Sequence, residues 1–561
     1  MDKEIEVDEL PSWLVIIFIT LFGGWLRVML LATKGMWLDE TFSVWIASHS
    51  ITDMLQWIVK IDQHPPLYYL LLHFWIAHYG DTPYYVRLLS TLFGTATIPI
   101  IFLIGKRISG DVAGWVAAVF LALSPFNIYF AQETRMYTLL TFNAAMAIYA
   151  LVRLLTDPRS VQPIGSQFRD YLHAWRTCRP VEQDTEEEFS YKDENSNQTG
   201  WRAWIFRHRW VPIKTIETDL AWVAFIVFSA ATLLSHNTAV FFPVAANIFV
   251  LGLMLFQRIR KSGSPPAFQA PSIGNWVKAQ IGIFLLWSPW LVAFVQQASR
   301  VDREFWIPKP SWDTVTQTLR ALLDASAPDQ QIQVIIMWIL CAVLCLGLMY
   351  YRKKPSIFLF LATLFAIPIL GELIVSIRRP IFYDRTLIWI TIPLFLVLAA
   401  GIAQLRFRFL MIVVLGILAT NYLFSTSDYL RFYQKEDWST PAGYVAYFAQ
   451  KDDLVLFNSN FVVIPFDYYF KPYEEQYSLQ VVEQGVPSDL FNDHILEPKM
   501  TTKDIPGLIS LLRGHNRVWL VYSHNWYTDP MGLIPQTLAS QMKLIRTRDF
   551  YGGQVQLYRT P

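Results

Sequence analysis

The chain reads as an all-α polytopic membrane protein with a small C-terminal α/β domain, and three observations lead there. Of its 561 residues 53% are hydrophobic and 16% aromatic, with only 16% charged, far from the balance of a water-soluble domain of this length. Apolar runs long enough to cross a bilayer, which takes about 20 residues, recur near 13–33, 88–105, 112–131, 136–155, 219–235, 239–256, 277–295, 331–351, 355–377, 386–404 and 409–424. After the last of these the pattern changes to short strand-like runs, Leu454 to Phe457 and Val518 to Tyr522, and an alternating stretch from Gln554 to Tyr558.

Each span has its own justification. The first follows an acidic leader (Asp2, Glu4, Glu6, Asp8, Glu9) with no basic region and no small-residue cleavage site, so it is read as a retained helix. Tryptophan gathers at the ends of the runs, as interfacial belts require. Basic residues set the orientation. Lys106 and Arg107, Arg258, Arg260 and Lys261, Arg352 to Lys354, and Arg406 and Arg408 share one side only if Leu67 to Tyr79 does not cross. At about 13 residues that segment is too short to span and is expected to lie in the outer interface, amphipathic through His73 and His78. The expected protein is thus multi-pass in the plasma (inner) membrane, with residues 1–424 forming the membrane domain and 425–561 a domain on the extracytoplasmic side. Asp39, Glu40, His64, Glu133, His236 and the Arg378 to Arg385 loop lie on that side too.

Residues 156–218 form a polar, charge-mixed cytoplasmic insert (Glu186 to Glu188, Asp193, Glu194) with no assigned chemistry. Leu533 to Leu544 reads as a helix between the C-terminal strands, and no internal repeat is present. Cys178 lies in the insert and Cys341 and Cys345 within a span, which excludes an outside disulfide framework and any zinc spacing. Asn197-Gln198-Thr199 fits a glycosylation acceptor on the wrong side of the membrane. Phosphate loops, nucleophile elbows and basic nucleic-acid patches are missing, and a net charge of +1 leaves no place for a nucleic-acid partner.

What remains is a set of ionisable residues at the outer ends of spans. Asp39 and Glu40 follow the first span, and carboxylates at the edge of hydrocarbon are costly unless they meet a cation, a proton or a substrate. His64-Pro65-Pro66 makes a turn stiffened by two prolines. Arg87 opens the second span, where an arginine also serves as a snorkelling anchor. Gln132-Glu133-Thr134-Arg135 closes the third, and His236 the fifth. Arg378, Arg379 and Arg385 run against the positive-inside trend on one outer loop and suit an anion such as a lipid phosphate.

The order Leu38-Asp39-Glu40, His64-Pro65-Pro66-Leu67-Tyr68-Tyr69, Arg87-Leu88-Leu89-Ser90, Ser124-Pro125 and Gln132-Glu133-Thr134-Arg135-Met136-Tyr137 resembles the membrane glycosyltransferases of the GT-C fold. The likeness is greatest to the bacterial branch related to protein O-mannosyltransferases and the lipid A aminoarabinose transferase. It covers residues 13–424 as architecture and is tight over 36–140. The resemblance implies a polyprenyl-phosphate sugar donor, an outer-face site, inversion at the anomeric carbon, and 11 to 13 spans with an interfacial helix in the first outer loop. The C-terminal domain departs from the family's sugar-binding trefoils, and the acceptor, whether glycan, lipid or protein, stays open.

On this reading Asp39 is the base. Glu40 and Glu133 position hydroxyls, or with Asp39 hold a divalent metal, which no histidine spacing compels. Arg378 and Arg385, with Arg135, His64, His236 and Arg87, would balance the leaving phosphate. A sugar or lipid transporter or flippase is the alternative, although its polar groups belong near the bilayer midplane and here they gather at outer ends. A receptor-like role carried by 425–561 would not need so many spans.

Overall fold

A computed structural model describes residues 12–62, 64–177, 216–259, 267–300, 309–324, 329–493, 495 and 498–561. The acidic leader, Cys178, Asn197 and the basic pair Arg260 and Lys261 fall outside the described residues. Each of the 11 expected spans is helical. Among the described residues eight helices are long and apolar enough to cross a membrane, and a bent pair makes up to nine. The first span is a shorter helix, α1 (Ser12–Val28), and Glu217–Ser235 stands where the fifth was expected.

Between α1 and the next span the chain forms α2 (Leu38–Ala47), α3 (Ile51–Ile61) and α4 (Leu67–Tyr79). The non-crossing segment is thus a helix with the expected bounds, but its character differs. Apolar residues surround α4, and His73 turns inward to place Nδ1 2.8 Å from the Ala47 carbonyl. The amphipathic helix is α3, which buries Met54, Ile58 and Ile61 and exposes its polar side.

Then come α5 (Pro83–Ser109), α6 (Asp111–Leu123), α7 (Pro125–Ala131) and α8 (Tyr137–Thr156). The 56° break between α6 and α7 has a local cause. Pro125 has no N–H for the Leu121 carbonyl, and the Phe126 N–H is diverted to Asp324 Oδ1 at 2.9 Å. Arg27 of α1, wholly buried, takes over both abandoned carbonyls, donating to Leu121 O at 2.8 Å and Ala122 O at 2.9 Å. In hydrocarbon an unpaired carbonyl costs several kcal/mol, so the guanidinium makes the bend tenable. The bend steers residues 132–136 toward α2.

Helix Asp384–Ala403 runs through the centre, with 94% of its membrane-length window buried, against 22% for Gln330–Arg352 at the lipid side. Gly347 and Gly401 let these two helices touch backbone to backbone, since a Cβ on either would collide with the other's carbonyl, at Val397 and Val343. The ends of the helices sort by charge. Arg107 donates to Thr156 Oγ1 at 2.6 Å and Lys354 to the Ile108 carbonyl at 3.2 Å, so 106–107, 156 and 351–354 meet at one end of the bundle. The first part of the insert is ordered there: the N–H groups of Gly165 and Phe168 are received by Asp219 at 2.8 and 2.9 Å.

The last membrane helix, Arg408–Phe432, leads into a five-stranded sheet with β1 (Leu454–Asn458), β2 (Val482–Gly485), β3 (Arg517–Ser523), β4 (Lys543–Phe550) and β5 (Gly553–Arg559) in the order β2-β1-β3-β5-β4. β1 is parallel to β2 and β3, while β3, β5 and β4 are antiparallel neighbours. Val455, Phe457, Trp519 and Val521 face the membrane helices' core, and Leu454, Leu456, Val518 and Leu520 a second core. The central strands are those expected. The edges β2 and β4 are additional, and the expected helix stops at Gln541, leaving Leu544 in β4.

Candidate active site

The site lies at the end of the bundle opposite the 106–107 and 351–354 cluster, where α2, residues 132–136, the start of helix Asp384–Ala403 and the sheet domain meet. Asp39 and Glu40 occupy the first turn of α2, where the helix dipole favours negative charge. The two then diverge.

Glu40 is buried completely. Its Oε1 accepts from Arg87 Nε at 2.7 Å and from the Thr134 N–H at 3.0 Å, and its Oε2 from Arg87 Nη2 at 2.6 Å and Lys435 Nζ at 3.0 Å. Burial alone would raise the carboxyl, but Arg87 and Lys435 outweigh it and hold the group well below the usual carboxylate range. Arg87 spends its other N–H groups on the carbonyls of Leu31, Lys34 and Gly35, each at 2.8 Å. Both sides of this pair are fully engaged, and Arg87 ties α5 to the turn after α1 rather than facing open space.

Asp39 is 24% exposed. Its Oδ2 accepts from Arg385 Nη1 at 2.9 Å, with Arg135 Nε at 4.0 Å. Here too burial pushes upward, and Arg135, then Arg385 and His64, bring the carboxyl below its ordinary value. Arg385 also lies over the rings of Tyr383 and Tyr137, 4.9 and 5.7 Å from their centroids. Next to it in the chain, Thr386 donates to the buried Glu372 at 2.8 Å, which anchors the start of helix Asp384–Ala403.

Each residue of the 132–135 motif has a distinct partner. Gln132 donates to the carbonyls of Arg27 and Met29 at 3.0 and 2.8 Å, pinning the end of α1. Thr134 caps Glu40, and Arg135 donates to Ser43 Oγ at 3.2 Å, while Ser90 of the Arg87 to Ser90 motif donates to the Arg135 carbonyl at 3.1 Å. Glu133 differs from the other three in the bonding of its carboxylate. It is buried, Lys435 Nζ lies 3.5 Å away, and neither oxygen accepts a hydrogen bond of good geometry, with the Tyr129 phenol close by.

His64 and His236 are brought together, ring centroids 5.1 Å apart, with His64 Nδ1 2.8 Å from Asp62 Oδ1. His236 Nδ1 accepts the Thr238 N–H at 3.2 Å, and burial lowers the ring well below its usual value, so it presents a neutral Nε2–H. Arg378 is not gathered in. It stands exposed past the end of helix Pro355–Ser376, and among the described residues no bond links it to the three acids.

A metal does not fit these donors. Among the described residues no three His, Cys, Asp or Glu side chains converge to hold an ion, and the carboxylates of Asp39 and Glu40 are already paired with guanidinium or ammonium groups. Lys435 and Asp62 join this cluster without a signal in the sequence. Lys435 sits in Gln434-Lys435-Glu436-Asp437 after the last span, a stretch that looks like solvated charge.

Known proteins can now be compared. The family model for dolichyl-phosphate-mannose-protein mannosyltransferase matches residues 63–165. ArnT from Cupriavidus metallidurans superposes in its apo state with a TM-score of 0.58 at 12% identity, over 97% of each chain. Bound to undecaprenyl phosphate, that protein gives 0.57 at 11% identity, over 97% of this chain and 98% of its own. The Archaeoglobus fulgidus oligosaccharyltransferase tethered with an acceptor peptide gives 0.51 at 6% identity, over 99% of this chain and 74% of its own. None of the curated proteins matches this sequence. At these identities the likeness is one of fold, and the fold is that of the GT-C membrane glycosyltransferases.

Proposed function

We propose that this protein is an inverting glycosyltransferase that moves a sugar from a polyprenyl-phosphate donor to a hydroxyl acceptor at the extracytoplasmic face. One observation carries the reading: of three clustered carboxylates, only Asp39 is both open to solvent and flanked by arginines. Undecaprenyl phosphate bound to the similar ArnT chain supports a lipid phosphate as donor.

The chemistry needs a base on one face of the sugar and charge stabilisation on the other. Asp39 takes the acceptor hydroxyl's proton as the oxygen bonds to the anomeric carbon, and the bond from that carbon to the phosphate oxygen breaks, the phosphate leaving with the electron pair. Arg385, with Arg135 behind it, meets the phosphate charge, and His64 and His236 offer further donors. Arg385 weakens Asp39 as a base by pairing with it. A donor phosphate competes for the same guanidinium, so donor binding restores basicity to the carboxylate as the sugar arrives. Glu133, walled by Tyr129, Tyr383 and Tyr433, is suited to receive sugar hydroxyls. Glu40 and Arg87 we assign to structure rather than to substrate.

The test is to incubate the purified protein with a panel of labelled polyprenyl-phosphate sugars and separate lipid-linked from water-soluble or acceptor-linked label. Transfer or slow hydrolysis of one donor is the expected result. Movement of intact lipid-linked sugar across vesicles with no bond cleavage would replace the transferase with a flippase.

A further inference from the structure

The segment after the last membrane helix is fastened on both sides. Lys34 caps that helix's C-terminus, donating to the carbonyls of Tyr429, Leu430 and Tyr433 at 3.0, 3.2 and 2.7 Å. Three residues further on, Glu436 accepts from the Leu38 N–H at 3.4 Å and Trp438 Nε1 at 2.9 Å, and lies 3.2 Å from His524 Nε2 of the sheet domain. Between these fixed points the chain drives Lys435 inward until its side chain is 2% exposed. There its ammonium meets Glu40 Oε2 at 3.0 Å, the Gln132 carbonyl at 3.4 Å and Glu133 Oε1 at 3.5 Å.

A buried ammonium needs a compensating anion. Glu40 accepts from Lys435, but Arg87 already neutralises it through two short hydrogen bonds, so the two cations exceed the one charge of Glu40. The second anion within ion-pair distance of Lys435 is Glu133. We propose that Lys435 is a positioning residue for the transfer site: arriving from the link to the sheet domain, it holds Glu133 ionised and aims its oxygens at the sugar. This rests on the transferase reading only for what the aimed carboxylate does.

The surroundings of Glu133 show why such a residue is needed. Burial pushes its carboxyl above the usual range, Lys435 opposes this, and the acids Glu40 and Asp39 of α2 add to the upward push. The other groups that face it are phenols, Tyr129, Tyr429 and Tyr433 on the side of the last membrane helix, and Tyr68, Tyr137 and Tyr383 across the site. Among the described residues Lys435 is the cation within ion-pair distance of Glu133. The sheet domain gains a role: by gripping Glu436 it sets the register of the lysine beside it.

Infrared titration of the Glu133 carboxyl, assigned by its loss in Glu133→Gln, tests this without any substrate. In Lys435→Met the Glu133 proton affinity should rise by about ten-fold or more, and Lys435→Arg should restore it. Transfer should fall about 10–100-fold in Lys435→Met, mainly in kcat, with partial rescue by Lys435→Arg and no further loss when Lys435→Met is added to Glu133→Gln. Should Lys435→Met fail to fold, the neutral pair Glu133→Gln/Lys435→Met is expected to fold, and its failure would overturn the pairing. An unmoved titration, or a Lys435→Met loss that persists in the Glu133→Gln background, also sinks the proposal. If the unaltered protein cleaves no lipid-linked sugar while the titration moves as expected, the transferase reading falls and the Lys435 to Glu133 pairing stands.

Discussion

Asp39 and Glu40 are neighbours in sequence and share one helical turn, yet one lines an opening and the other is sealed into a wall. Around Glu40 every oxygen is bonded, the charges cancel against Arg87 and Lys435, and no water reaches the pair. Around Asp39 the arginines lie on one side only and part of the carboxylate is exposed. The same residue chemistry is used once to join helices and once to leave a reactive group available. The acidic pair is thus one partly exposed carboxylate and one sealed carboxylate.

Substitutions in each half should separate the two roles. On the open side Asp39→Asn keeps shape and loses the base, so turnover should fall about 10²–10⁴-fold while melting temperature and donor binding stay near those of the unaltered protein. Retained turnover in that variant, with loss in Glu133→Gln, would move the base to Glu133. On the closed side Arg87→Met strands a buried carboxylate and should destabilise by about 3–5 kcal/mol, seen as a lower midpoint in detergent unfolding. A stable, inactive Arg87→Met would instead make the arginine a substrate ligand.

Smaller effects sharpen the boundary between the halves. Arg385→Gln should weaken donor binding by about 1.5–3 kcal/mol, while Arg378→Gln, exposed and remote, should change it by less than about 0.5 kcal/mol. Equal losses in both would show that the loop closes over the donor. The gentlest probe is pH. Arginine neighbours hold the Asp39 carboxyl low, so transfer should persist as pH falls until the carboxylate takes a proton below the ordinary aspartate range. Arg135→Gln removes part of that hold, and the acid limb of the kcat/KM profile should move to higher pH. The sign also holds for stability: a depressed folded value contributes stability above the unfolded aspartate value, which is lost as pH falls. A limb that stays put would assign it to another group.

Local chemistry made much of this legible in advance. The helices over the 11 apolar runs follow from their side chains, since one run of hydrophobic residues is a property of a single stretch of chain. The central strands β1 and β3 were readable because both faces are buried and their composition is apolar. Edge strands β2 and β4 were not, because Val482 to Gly485 is short and only partly buried and Lys543 to Phe550 is largely exposed, both as polar as loops. The kink at Ser124-Pro125 is visible in sequence as a proline, but Arg27 as the group that satisfies it is not.

The sequence by itself determined a many-helix membrane protein, the end of the bundle where ionisable residues collect, and the motifs that supply Asp39, Glu133 and Arg385. Only the tertiary structure decided which of those charges are spent on one another. Glu40 meets Arg87 across 47 residues and Lys435 across 395, and no local pattern encodes pairings over such separations. Burial made the choice: in a low-dielectric wall a charge persists only beside its opposite, so packing paired Glu40 with Arg87 and brought Lys435 in toward Glu133. Asp39, at the opening, kept one side free.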